Sequence, residues 1–247
     1  MIRLEDVVVK FNEGRGREHI ALNHVNLEIK EKDFVLVIGG NGAGKTTLLR
    51  ILAGSQKVTS GKIFIDNIDV TKLDEVERAK FIAKVFQDPL QGSCADLSIE
   101  ENFALFASRG QKRTLFPALT KNRINDFHEQ VERLGLGLET RMRDPIGSLS
   151  GGQRQILTLL MATQNDAKLL LLDEHTAALD PKIAKQVMKI TNEIITRKQL
   201  TTLMITHDMH HANQNGNRLL VLQKGKILHD IRDQAKEDFC PSAVFDN

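Results

Sequence analysis

Phe34-Val35-Leu36-Val37-Ile38-Gly39-Gly40-Asn41-Gly42-Ala43-Gly44-Lys45-Thr46-Thr47 decides the fold of this chain. Phe34–Ile38 is continuously apolar, the pattern of a strand buried on both faces in a parallel sheet. The glycines that follow let the backbone curl so that several N–H groups converge on one anion. A helix is expected from about Gly44, with Leu48, Leu49, Ile51 and Leu52 on its apolar side, and its N-terminus backs the same anion. Strand, glycine loop and helix in this order read as a phosphate-binding loop over Gly39, Gly40, Asn41, Gly42, Ala43, Gly44, Lys45, Thr46 and Thr47. Lys45 is placed to put a point charge on the β- and γ-phosphates, and Thr46 to offer a hydroxyl to Mg²⁺.

Two later segments extend the reading. Leu169–Leu172 is a second apolar run, and it ends in Asp173-Glu174. At the end of a strand Asp173 falls where a second Mg²⁺ contact is needed. Glu174 falls where a water must be polarised for in-line attack on the γ-phosphate. Between these segments lies Leu149-Ser150-Gly151-Gly152-Gln153, followed by Ile156, Leu157, Leu160 and Met161 at helical spacing. A helix N-terminus of small residues exposes unpaired N–H groups, and Ser150 adds a hydroxyl, so Ser150–Gln153 reads as a second anion site or as an ordinary capped helix.

The rest of the chain fits around these motifs. Ile2–Phe11, Val25–Ile29 and Lys62–Ile65 read as strands, with a polar turn over Asn12–Arg17. From Pro89 to about Gln164 the character is helix and loop: Ile124, Phe127, Val131 and Leu134 share a helical face, and Arg109–Arg113 is a basic, solvated turn. A helix with Asp180 as N-cap and Pro181 in its first turn carries Ile183, Val187, Ile190 and Ile194 on one face. A strand at Leu203–Thr206 and a hairpin over Leu219–Leu222, Lys224-Gly225 and Ile227–Leu228 close the pattern. We read one nucleotide-binding α/β domain, core 1–88 and 165–247, with a helical subdomain inserted at 89–164.

Composition narrows the classes. The 247 residues, 41% hydrophobic, suffice for one large α/β domain with its own core. Thirty-four basic against 32 acidic residues, net charge +2, set up no field towards nucleic acid or lipid. With no Trp and no Tyr, stacking platforms for single-stranded nucleic acid are not expected. Cys94 and Cys240 lie far apart and read as two reduced thiols rather than a disulfide or zinc framework. The start, Met1-Ile2-Arg3-Leu4-Glu5-Asp6, lacks the layout of a signal peptide, and no apolar run approaches the roughly 18 residues that span a bilayer. A soluble, cytoplasmic protein is expected, with any membrane role supplied by a partner.

Taken together, the motifs resemble those of the ATP-binding-cassette (ABC) ATPases along almost the whole chain. The resemblance implies a RecA-like P-loop core, a mostly parallel sheet with helices on both faces, preceded by antiparallel strands. Gln87, in Val85-Phe86-Gln87-Asp88-Pro89, matches the Q-loop that senses Mg²⁺ and the γ-phosphate and adjoins the transporter contact. Ala178-Leu179-Asp180 matches the D-loop that crosses a dimer interface. His207, in Ile205-Thr206-His207-Asp208, matches the switch histidine on the γ-phosphate. Ser150–Gln153 matches the signature, which touches ATP bound to a second subunit.

Three positions depart from the family pattern. The adenine ring usually stacks on a Tyr near the first strand; here Phe11 is the first candidate and His19 the second. His175 stands where Pro is usual after the catalytic Glu, either as loop chemistry or as a contact to a partner subunit. Ala177 replaces the D-loop Ser. The run Asp173–Pro181, and Leu134–Glu139 before the signature, resemble a branch of importer-type ATPases encoded with a separate permease and a periplasmic binding protein. Aromatic amino acids have been suggested as cargo for some of its members.

The resemblance therefore implies the ATPase subunit of an ABC transporter, of importer type. Its cofactors would be ATP and Mg²⁺. Its partners would be a second copy of itself around two ATPs, integral-membrane permease subunits and, indirectly, a substrate-binding protein, but no nucleic acid. It would sit peripherally at the inner face of the cell membrane. A soluble ABC ATPase acting on ribosomes, DNA or Fe–S assembly is the alternative. Against it, the chain has one cassette and no coiled-coil insertion, although an Fe–S assembly ATPase fits the size. A P-loop kinase would leave the signature and Glu174 unexplained.

Overall fold

A computed structural model describes residues 1–12, 18–110, 120–207 and 215–237. The polar turn from residue 13 to Arg17, the end of the basic loop at Lys112 and Arg113, Asp208 and Cys240 lie outside the described residues. The chain packs as two compact units: Met1–Lys84, Lys168–Glu174 and Gln199–Asn247 form the first, Val85–Ala167 and His175–Lys198 the second.

The first unit carries two sheets. In the first, β1 (Ile2–Asn12) pairs antiparallel with β2 (Glu18–Ile29) and with β4 (Ser60–Ile65), and β5 (Ile68–Asp69) completes the order β2-β1-β4-β5. The second has the order β10-β9-β3-β8-β7-β6. Its strands are β3 (Phe34–Gly39), β6 (Ile82–Val85), β7 (Leu169–Asp173), β8 (Thr202–Ile205), β9 (Arg218–Gln223) and β10 (Lys226–Arg232). β3 runs parallel to β8 and β9, and β7 parallel to β8; the β9–β10 hairpin adds the antiparallel edge.

Every residue of β3 is buried. Val35 and Val37 join Leu169, Leu171, Leu203, Ile205, Leu220 and Leu222 in a core shared with β1, β2, β4 and the helix α1 (Lys45–Ala53). Leu36, Ile38, Leu170, Leu172, Met204, Leu219 and Val221 alternate with them and are buried on the opposite face. That two-sided burial is why these strands read as unbroken apolar runs.

The far end of α1 is held by a residue that no motif flags. Arg78 closes the short helix α2 (Glu75–Arg78) and is almost wholly buried. Its Nη1 donates to the carbonyls of Ile51 and Leu52, its Nη2 to Val70 and Thr71, and its Nε to Leu73. Burial lowers its pKa to about 10, so it remains a cation at neutral pH, seated on the negative end of the α1 dipole. Arg78→Met keeps the bulk and strands those carbonyls. We expect a loss of about 3 kcal/mol or more, read as a lower urea midpoint. An unchanged midpoint would show that the carbonyls find other donors.

The second unit is built from α3 (Ile99–Ser108), α4 (Lys121–Glu132), α5 (Gly151–Ala162) and α6 (Pro181–Lys198). Of the expected α4 face, Phe127 and Val131 are buried and Ile124 and Leu134 half-buried, and the Phe127 ring stacks on Phe103 with centroids 4.0 Å apart. Asp180 caps α6 as expected, its Oδ1 accepting from the Ile183 N–H at 3.1 Å. The α6 face built on Val187, Ile190 and Ile194 is buried. α6 packs in the second unit against α5. The contact is close: a Cβ at Gly152 would overlap the Ile183 Cγ2. Among the described residues no helix is long and apolar enough to cross a membrane.

Candidate functional site

The loop between β3 and α1 opens where parallel strands end, the usual place for a ligand in an open α/β sheet. Gly44 has φ +105°, and a Cβ there would overlap the Ala21 carbonyl, so this position needs glycine. Its carbonyl accepts from the Leu48 N–H at 2.8 Å and so starts α1, whose first-turn N–H groups have no partner within the helix. Lys45, 6% exposed, donates from Nζ to the carbonyls of Gly39 at 2.7 Å and Gly40 at 3.1 Å. Burial lowers its pKa, opposed by the carboxylates of Glu174 and Asp173.

A cavity of about 210 Å³ joins this loop to Phe11, His19, Glu174 and His207, while Asp173 is not among its lining residues. Residues 41–47 of the loop line it, and so do Glu174 and His207. Phe11 and His19 line it too; they are directly opposed on β1 and β2. Both candidates for the base therefore reach the same opening, which strand pairing explains and sequence distance concealed.

Glu174 leaves β7 with φ +44°, an uncommon conformation for a residue with a Cβ. Its N–H donates to the Ile205 carbonyl at 3.1 Å, and its Oε1 sits 2.6 Å from Nε2 of His207. The carboxylate is 15% exposed and the imidazole 49%, so the pair faces the opening. Burial raises the pKa of Asp173, and Lys84, Arg50 and Lys45 oppose that rise. Nothing in the motif pattern singles out Lys84 or Arg50; they are ordinary cations in sequence and become relevant only where β6, β7 and α1 converge.

The donor set suits one kind of metal. Among the described residues no group of three or more His, Cys, Asp or Glu side chains could cage an ion. Thr46 and Asp173 supply hard oxygen donors in the first unit. Such a sparse set fits a Mg²⁺ that keeps waters and shares phosphate oxygens with its nucleotide, and does not fit a soft or tightly caged metal.

The remaining predicted residues lie in the second unit. Ser150 is the N-cap of α5: its Oγ accepts from the Gln153 N–H at 3.3 Å, while Oε1 of Gln153 accepts from the Ser150 N–H at 3.2 Å. This reciprocal capping box satisfies two of the N–H groups that the sequence reading left unpaired; those of Gly151 and Gly152 lie between them. Ser150 and Gly151 are exposed and Gly152 is buried. Arg154 is buried, and its guanidinium holds the carbonyls of Ile146, Gly147 and Leu149, fixing the approach to Ser150. Gln87 is exposed on the loop after β6, and the preceding carbonyl, of Phe86, accepts from Nε2 of the buried Gln155 at 3.0 Å. Asp180 is exposed and Ala177 likewise. His175, which could have faced a partner subunit, is 2% exposed and turned inward.

Comparison with known proteins adds four findings. A protein-family model described as ABC transporter matches residues 22–177. The chain is 37% identical over 246 residues to the Tyrosine transport ATP-binding protein of Clostridioides difficile (strain R20291), covering 100% of this chain and 98% of that one. It is 33% identical over 242 residues to the Methionine import ATP-binding protein MetN 2 of Listeria innocua serovar 6a, covering 94% of this chain and 67% of that one. Among solved structures, a dimeric ATP-binding cassette in a post-hydrolysis state bound to ADP and Pi superposes with a TM-score of 0.78 at 28% identity, covering 94% of this chain and 98% of that one.

Proposed function

We propose that this chain, which belongs to the ABC transporter family and is an ATPase, is the motor subunit of an importer that takes up an amino acid. The observation that carries the site reading is the single cavity that gathers Lys45, Glu174 and His207 at the C-terminal ends of parallel strands. ATP enters with its phosphates on the Gly39–Thr47 loop. Lys45 exchanges its bonds to the Gly39 and Gly40 carbonyls for phosphate oxygens. Thr46 and Asp173 would hold Mg²⁺, which would supply positive charge against the phosphates. Gln87 completes the sensing of the γ-phosphate. Glu174 polarises a water for in-line attack, and His207 holds both that carboxylate and the γ-phosphate. ATP and water leave as ADP and phosphate.

Two copies close head to tail around two ATPs, with Ser150–Gln153 of one on the γ-phosphate held by the other and Asp180 near the shared interface. Hydrolysis removes those contacts and reopens the pair. That a solved relative is a dimeric cassette bound to ADP and Pi supports the pairing. Closure acts on separate permease subunits, which place the chain at the inner membrane face. The importer reading is supported by the likeness to a methionine import ATP-binding protein, and the amino-acid reading by the end-to-end match to the tyrosine transport protein. Purification of the tagged chain from membranes tests it: a multi-span permease should co-purify, and ATPase activity should rise when a cargo-loaded binding protein is added. Recovery of a wholly soluble complex would overturn it.

The base is the weakest-marked part of the site, and it yields a direct expectation. Phe11→Ala should weaken ATP binding by roughly 1–3 kcal/mol, the scale of base–aromatic stacking, while Phe11→Tyr is tolerated. Unchanged affinity in the folded Ala variant would move the stacking role to His19.

A further inference from the structure

We infer that His19 hydrogen-bonds a ribose hydroxyl of the bound nucleotide and sets a preference for ribonucleotides, while Phe11 carries the base. The inference deepens the proposed function and rests on its reading of this cavity as the ATP site. Every residue it uses lies in the first unit.

Strand β2 is the edge strand of the first sheet, and it is held directly against the phosphate loop. The Asn23 N–H donates to the Gly225 carbonyl at 2.8 Å, and the Gly225 N–H donates to the Ala43 carbonyl at 3.0 Å. The Ala21 carbonyl lies where a Cβ on Gly44 would fall. At this point β2 has one residue more than its partner: Val9 of β1 pairs with Leu22, and Lys10 with Ile20. A bulge of this kind re-aims side chains beside a site.

Ala21 and His19 both line the cavity. From one to the other β2 advances two residues, about 6–7 Å. Phe11, which also lines it, stands directly opposite His19 on β1, one strand further from the loop. Directly opposed side chains start about 5 Å apart. Outward from the loop the cavity therefore meets Ala21, then His19, then Phe11. A nucleotide is built in the same order: phosphates, ribose, base. With the phosphates on the loop, the ribose comes to His19 and the base to Phe11.

The side chains suit those places. Phe11 is half-buried and packs against the core, so it offers a fixed apolar face with no hydrogen-bonding atom. His19 is exposed, and among the described residues no hydrogen bond engages its ring. Its ring nitrogens can donate to or accept from a hydroxyl, which a phenyl ring cannot. The other polar side chains lining the cavity belong to the phosphate loop or to the Glu174–His207 pair. His19 is thus the polar group placed for the sugar.

The test uses the full-length chain with Mg²⁺. ATP, 2′-deoxy-ATP and 3′-deoxy-ATP each displace a fluorescent ATP labelled on its γ-phosphate, so that the label leaves the ribose free. The parent should bind at least one deoxy analogue ~3–10-fold more weakly than ATP, the scale of one net hydrogen bond. His19→Ala should bind ATP more weakly by that same factor and bind all three nucleotides alike. His19→Phe should match His19→Ala, because a ring without nitrogens makes no hydrogen bond to a hydroxyl. Phe11→Ala should weaken all three nucleotides equally and leave the ribose preference intact. A preference that survives in His19→Ala would overturn the inference. So would recovery of parental ATP affinity in His19→Phe, which would make residue 19 a stacking ring. Two failures are separable: a parent that binds ATP and both deoxy analogues alike overturns the inference alone, and a folded parent that binds no ATP overturns the reading of the cavity.

Discussion

Glu174→Gln is expected to bind ATP and to turn it over ~10²–10⁴-fold more slowly than the parent chain, the range for losing a positioned acid/base group. The amide matches the carboxylate in size, so the contacts that fix residue 174, the Ile205 carbonyl on its N–H and the His207 ring on its tip, survive the change. What disappears is the negative charge that draws a proton from water. ATP affinity should hold or rise, because an anion beside the γ-phosphate is removed. The buried Lys45 loses one of the two carboxylates that favour its charged form, but phosphate oxygens replace that support when ATP binds. The variant should accumulate as an ATP-bound dimer on gel filtration with Mg²⁺. Single-turnover hydrolysis at the parental rate would place the base elsewhere in the cavity.

The parts of this site that could be read in sequence are those whose chemistry is local. The phosphate loop needs an apolar strand before it and a helix after it, and both are written in consecutive residues from Phe34 to Leu52. Asp173 and Glu174 likewise follow directly on a four-leucine run. What the sequence concealed depends on residues brought from afar. Arg78 reaches helix α1 some 26 residues away and looks like any surface arginine in a charged segment. One local signal was legible and differently spent: Ser150 and Gln153 are spaced as a capping box, and the structure uses the serine hydroxyl there. The helix end still offers the N–H groups of Gly151 and Gly152, so the capping box organises the proposed anion site.

That geometry selects the variant that tests action between subunits. Ser150→Arg would also remove the cap, at a cost of about 1 kcal/mol to α5. A side chain at Gly152 would run into Ile183, and its effect would be confounded with unfolding. Gly151 is the better position: a Cβ there meets only the Leu179 Cδ2 at 3.2 Å, the movable end of a side chain. Gly151→Asp adds an acid to the first turn of α5, which the helix dipole favours, while its charge repels a γ-phosphate arriving from a second subunit. This chain alone should therefore keep its ATP affinity, since the loop that binds its own nucleotide is untouched, and should fail to hydrolyse for want of the closed pair. Lys45→Ala fails for the opposite reason, lacking its own phosphate contact. In a heterodimer of the two, one composite site carries both lesions and the other carries neither. Equal mixing makes half of the dimers mixed, each with one intact site out of two, so recovery to about a quarter of the parental rate is expected if sites act independently. No recovery in demonstrated heterodimers would leave strict coupling between sites or action within one chain, and a single-turnover burst from the intact site supports the first and its absence the second.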